Sequence, residues 1–154
     1  MKINLVAIGT KMPAWVNEGY EEYAKRLPKE FQLHLIEIPA LKRGKTLSPH
    51  LIEQEGELLL NAIPAHNKTI ALERTGKAFS TLELTQQLGK YHGESQDVSL
   101  LIGGPEGLSS ACLQQAELKW SLSTLTLPHP LVRVVIAEQI YRAWSIMSHH
   151  PYHR

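Results

Sequence analysis

Glu138, Arg142, Ser145 and His149 follow one another at steps of four, three and four residues, and the segment that carries them runs into Pro151, Tyr152, His153 and Arg154. On a helix, that spacing gathers an acid, a guanidinium, a hydroxyl and an imidazole into one polar stripe. Such a set can move a proton, neutralise a developing anion or grip a phosphate. An imidazole such as His153, with an unperturbed pKa near 6.5, suits proton transfer, while Arg142 and Arg154 stay charged at any working pH. Tyr152 can orient or stack on a nucleobase. As structure alone, the i,i+4 pair of Glu138 and Arg142 is a local salt bridge worth about 0.3–0.5 kcal/mol. His149, His150 and His153 have no acidic or cysteine partner at ligand spacing, so no metal site is expected.

A second chemical signal lies in LLIGGPEGLSSA, Leu100 to Ala111. An apolar strand runs into Gly103 and Gly104, and glycine permits both positive φ and close approach of a backbone to a flat ligand. The turn lacks a Walker lysine, Glu106 would repel a polyphosphate, and the spacing departs from the GxGxxG of dinucleotide folds. A cationic ligand tolerates that carboxylate.

The elements that must position these groups alternate between strand and helix, with no internal repeat and no low-complexity linker. Strands are expected at Ile3 to Ile8, Phe31 to Ile38, Thr69 to Leu72, Val98 to Ile102 and near Trp120 to Leu122. Helices are expected from Pro13, from Ser48–Pro49 through about Ala62, from Ser80, briefly after Ser109 and Ser110, and from about Leu131 to Ser148. Five strands interleaved with five helices predict a layered α/β/α domain with a mainly parallel sheet, a single domain over residues 1–154. Ligands then belong at the carboxyl ends of the strands. In the last helix, Val134, Val135, Ala137, Ile140 and Trp144 are candidate core or interface.

Composition limits the partners. The chain has 154 residues, 43% of them hydrophobic, which suffices for one buried core. Cys112 is the only cysteine, so there is no disulfide framework. No apolar run approaches the roughly 18 residues of a membrane span and no signal peptide is visible, so a cytoplasmic, reduced location is expected without a membrane partner. A formal net charge of +1 is below the balance of many free-RNA binders, so any RNA contact must be local. The candidates are Lys42, Arg43 and Lys45 in LKRGK, and Arg133, Arg142 and Arg154 at the other end.

The glycine turn, the segment SLSTLTLPHPLVRVVIAEQIYRAW from Ser121 to Trp144 and the tail HHPYHR closely resemble the RlmH family. Members are SPOUT-class methyltransferases that transfer a methyl group from S-adenosylmethionine to N3 of pseudouridine 1915 in 23S ribosomal RNA. The resemblance covers essentially the whole chain from Lys2 to Arg154. It implies a C-terminal trefoil knot, and a cofactor cleft built from Leu72, Gly103, Gly104 and the stretch Leu122, Ser123, Thr124, Leu125, Thr126, Leu127. It also implies a tail that closes over the active site, a ribosomal substrate and a homodimer with a composite site. For proton removal, His153, Tyr152, Glu138 and a water all remain candidates. Two other readings are a different SPOUT activity, such as ribose 2′-O methylation of tRNA, and a ribosome-binding protein without catalysis. The specific YHR tail and the lack of an added RNA-binding module argue against the former. The intact glycine turn together with that tail argues against the latter.

Overall fold

A computed structural model describes residues 1–45 and 48–154. Its five strands are β1 (Lys2–Ile8), β2 (Gln32–Ile38), β3 (Lys68–Ala78), β4 (Val98–Ile102) and β5 (Leu118–Ser121). Between and after them come α1 (Ala14–Ala24), α2 (Pro49–Asn61), α3 (Thr81–Gly93), α4 (Ser110–Gln115) and α5 (His129–Met147), then a 3₁₀ turn at Pro151–His153. The sheet order is β2-β1-β4-β3-β5, and every pairing is parallel. Helices on both faces bury β1 and β4 almost completely, which is why both strands read as near-continuous apolar runs.

Side chains alternate across each strand, so one sheet feeds two cores. Ile3, Leu5 and Ala7 pack with Tyr20 of α1, Leu84 and Leu88 of α3, and Ile136 and Ile140 of α5. Val6 and Ile8 face the other way, onto Leu59 of α2 and Cys112 of α4. The arrangement is the expected three-layer α/β/α fold.

Local chemistry sets most boundaries. Ser80 caps α3 with a full capping box: its hydroxyl accepts from the Glu83 amide at 3.1 Å while the Glu83 carboxylate accepts from the Ser80 amide at 2.8 Å. Ser109 caps α4 through the Cys112 amide. Ser48 precedes α2 in extended conformation but makes no side-chain cap bond among the described residues; the proline after it starts the helix.

The strand expected at Thr69 to Leu72 is instead the first part of an eleven-residue β3. Both Leu72 and Lys77 pair with Trp120, so Glu73 to Gly76 bulge out of the ladder. Gly76 is required there, because a Cβ would lie 2.6 Å from the Lys119 carbonyl group. The last strand lies earlier than expected, at Leu118–Ser121, and α5 begins at His129, two residues before Leu131.

Candidate active site

The loops after β3, β4 and β5 converge with the first turn of α5 around a cavity of about 530 Å³. Ligand sites of small molecules span about 300–1,000 Å³, so an adenosine-sized occupant fits. Leu72, Gly103, Gly104, Leu122, Ser123, Leu125, Thr126 and Leu127 all line it; Thr124 does not. The cavity stands at the carboxyl ends of three parallel strands, where a layered α/β fold places ligands.

The glycine turn is shaped by its own backbone. Gly107 adopts φ +86°, its amide donates to the Gly104 carbonyl at 3.0 Å, and a Cβ on Gly103 would lie 2.5 Å from the Gly107 carbonyl group. Gly103 is therefore a glycine because the turn closes on itself. That reason comes before any approach of a ligand. Trp120 adds a wall whose indole N–H is buried without a partner among the described residues, an orphan donor beside a site for a hydrogen-bonding ligand.

Behind the turn lies a buried cation. Arg133 has no exposed surface; its Nη1 donates to Glu37 Oε2 at 2.6 Å, its Nη2 to the Gly9 carbonyl at 2.8 Å and its Nε to His129 Nε2 at 2.9 Å. The expected RNA contact at Arg133 is corrected accordingly, since a guanidinium paired inside the protein cannot reach phosphate. His129 lines the cavity, and burial, reinforced by the charge of Arg133, pushes its pKa down to about 4. A neutral imidazole is what a guanidinium donor requires as its acceptor.

Arg43 is corrected in the same way. Its guanidinium turns inward onto Glu55 and Glu106, leaving Lys42 and Lys45 as the exposed cations of LKRGK. The hydrogen bonds from Arg43 hold the Glu106 carboxyl below the usual carboxylate range, and its charge offsets the repulsion expected from Glu106.

A second cluster forms where the tail folds onto α5. Arg142 Nε donates to Glu138 Oε1 at 2.8 Å, and the Tyr152 hydroxyl donates to the same oxygen at 3.1 Å. The Arg142 guanidinium carbon lies 5.1 Å from the Tyr152 ring centroid, and Tyr152 packs edge-on against Tyr141 at 4.6 Å. Aromatic packing explains why this short tail is ordered instead of frayed. Burial, then the contacts to Tyr23 and Glu138, push the Tyr152 phenol up to about 12, so at neutral pH it is a donor and not a base. His153 Nδ1 lies 3.4 Å from the hydroxyl of buried Ser145, which donates its one proton to the Arg142 carbonyl at 2.7 Å. Any hydrogen bond there is donated by Nδ1–H, leaving His153 Nε2 as the basic nitrogen. Arg154 is exposed, and His149 turns away at φ +56° as the helix ends.

A family model described as predicted SPOUT methyltransferase matches residues 1–153. The curated protein "Ribosomal RNA large subunit methyltransferase H" of Marinomonas sp. is 55% identical over 155 residues, covering 100% of both chains. Its counterpart in Saccharophagus degradans is likewise 55% identical with 100% of both covered. The chain belongs to the RlmH family of SPOUT methyltransferases. The fold agrees with that of a probable methyltransferase from Bordetella pertussis, at TM-score 0.57 and 15% identity over 92% of this chain and 93% of the other.

In this SPOUT methyltransferase the two clusters do not meet within one chain. The cavity is lined at α5 only as far as Val132, whereas Ser145, beside His153, lies thirteen residues on, or about 20 Å along the axis. Tyr152 reaches back toward the cavity as far as Glu138, still six residues short of Val132. Sequence reasoning missed His129 and Trp120 in the cavity wall and Glu37 and Glu55 behind it. The i,i+4 spacing of His129 and Arg133 was a usable signal; Glu37 and Glu55 meet their arginines only through the tertiary fold.

Proposed function

We propose that this enzyme transfers a methyl group from S-adenosylmethionine to N3 of pseudouridine 1915 in 23S ribosomal RNA, on the assembled ribosome in the cytoplasm. The observation that carries this reading is a cavity walled by three strand-end loops, of the size for an adenosine ligand, in a chain that matches large-subunit ribosomal RNA methyltransferases along its whole length.

When bound, S-adenosylmethionine supplies an electrophilic methyl on its sulfonium sulfur. The protein's part is to hold that group and the nucleobase in line, which can lower a barrier by about 7–11 kcal/mol in the best intramolecular cases. Leu72, Gly103, Gly104, Leu122, Ser123 and Leu125 to Leu127 hold the ligand, mostly through backbone amides and carbonyls, and no metal takes part. At the base, His153 Nε2 or a water would take the N3 proton, so that the nitrogen could accept the methyl group that a bound S-adenosylmethionine would supply, its sulfur leaving as a neutral thioether. Arg142 and Arg154 steady the imide anion that develops or bind its phosphate. Tyr152, held protonated, orients the base, and Glu138 fixes Arg142 and Tyr152 in register.

Because the cavity and the tail of one chain stand apart, the working unit in this reading is a C2 homodimer in which the tail of one subunit serves the cavity of the other. Leu125 in the cavity wall is 71% exposed and Leu131 in the first turn of α5 is 37% exposed, apolar surface that such a dimer would cover. The C-terminal trefoil knot of the family belongs to the same reading and explains how the Gly103 turn and the Leu122–Leu127 loop come side by side, within a single domain over residues 1–154.

Labelled S-adenosylmethionine offered with assembled ribosomes, free large-subunit RNA or tRNA tests the substrate. Label in the large-subunit RNA of ribosomes is expected. Label confined to tRNA would overturn the reading.

A further inference from the structure

Arg43 sits beside exposed Lys42 in the loop between β2 and α2, yet its side chain is only 25% exposed and its guanidinium is held by acceptors of the protein. Nε and Nη2 donate to the two oxygens of Glu106 at 3.1 and 2.8 Å. Nη2 and Nη1 donate to the two oxygens of Glu55 at 2.8 and 3.0 Å, and Nη1 also reaches the Leu41 carbonyl at 2.9 Å. Arginine has five N–H donors, and these five contacts use them all. Glu55 is only 4% exposed and accepts from the Leu41 amide as well, at 3.0 Å.

The same guanidinium packs directly on the glycine turn. A Cβ on Gly104 would lie 2.7 Å from Arg43 Nη2 and 3.3 Å from Glu55 Oε1. Gly104 and Glu106 line the cavity, while Arg43 and Glu55 do not. Without the cation, two carboxylates would face one another across the turn, one of them buried, and buried charge without a partner is costly. A lysine could not replace it, since an ammonium cannot bind two carboxylates bidentately.

We propose that Arg43, anchored by Glu55, is a positioning residue for methyl transfer that holds the Gly104–Glu106 turn in its ligand-competent shape from outside the cavity. The proposal rests on reading the cavity as the S-adenosylmethionine site. It assigns to the middle of a basic RNA-like segment a role in cofactor affinity. If the turn samples other shapes once the clasp is loosened, apparent affinity falls by the fraction of chains that remain competent, while the rate at saturating ligand is nearly kept.

The test uses the full chain, as wild type, Arg43→Lys and Glu106→Gln, with three measurements: calorimetric affinity for S-adenosylhomocysteine, thermal midpoint, and salt dependence of ribosome binding. Arg43→Lys should bind S-adenosylhomocysteine about tenfold more weakly, the loss of about 1.4 kcal/mol of charge-assisted bonding, while folded at the assay temperature and with an unchanged salt slope. Glu106→Gln, which keeps an acceptor but loses the charge, should weaken binding severalfold, and it carries the test if the lysine variant does not fold. Unchanged affinity in either folded variant would overturn the proposal. So would a salt slope reduced by about one with affinity intact, which would make Arg43 a phosphate contact. Failure of the wild type itself to bind S-adenosylhomocysteine would instead remove the cavity assignment.

Discussion

Replacing Gly103 with alanine probes the glycine turn at its tightest point. The added Cβ would sit 2.5 Å from both the carbonyl carbon and oxygen of Gly107 and 2.9 Å from the Leu108 amide nitrogen, all backbone atoms. Ordinary contact begins at 3.4 Å, so the turn must open by about 0.9 Å. Overpacking of this kind costs about 1–3 kcal/mol, and the Gly107–Gly104 hydrogen bond of 3.0 Å is lost with it, about 1 kcal/mol more if not replaced by water. A misplacement near 1 Å in a catalytic assembly costs about a hundredfold in rate. Calorimetry with S-adenosylhomocysteine and single-turnover transfer should therefore both fall steeply in Gly103→Ala, with a modest loss of thermal midpoint because the turn lies at the surface end of β4. Gly44→Ala, where a Cβ meets nothing within 4 Å among the described residues, is the control and should change little. Wild-type affinity and rate in Gly103→Ala would refute the reasoning that the turn's own closure shapes the site.

Three further outcomes are expected. His129 has a folded pKa near 4, below the unfolded 6.5, so the unfolded chain takes up its proton first as pH falls; stability is full above about pH 6.5 and declines toward pH 4 by on the order of 2 kcal/mol, a slope that denaturant titrations should find flattened in His129→Gln. Deleting Tyr152 to Arg154 should abolish methyl transfer and leave S-adenosylhomocysteine affinity nearly intact; of the single changes, His153→Ala in the tail should be partly rescued by raising pH and Arg142→Ala on α5 should not. Mixing a Gly103→Val chain with a tail-deleted chain should restore up to about a quarter of the wild-type rate through heterodimers with one complete site, whereas no recovery in exchanged mixtures would show that each chain's site is its own.

How far the sequence could be read depends on how local each signal is. The apolar runs of β1 and β4 and the capping residues Ser80 and Ser109 act over a few positions, so element order and fold class were legible. The far half of β3 was not, because Glu73 to Gly76 read as a polar loop and only pairing with Trp120 and Ser121 draws Lys77 and Ala78 into the strand. Eight of the nine residues that the resemblance named for the cleft line the cavity, but its supports were not anticipated. Arg43 and Arg133 looked like RNA contacts because charge on a sequence carries no direction. Glu106, 63 positions from Arg43, and Glu37, 96 positions from Arg133, turn each side chain inward. The tail was expected to face the cofactor turn, and the length of α5 places it elsewhere in the same chain.

The central claim is methyl transfer to one nitrogen of one nucleoside, and mapping the product tests it most directly. Ribosomes lacking the modification, incubated with the protein and methyl-labelled S-adenosylmethionine, should yield large-subunit RNA with the label at a single pseudouridine, 1915, on base nitrogen N3. Label on a ribose 2′ oxygen, on another nucleoside, or no label beside a demonstrably bound cofactor would contradict the account.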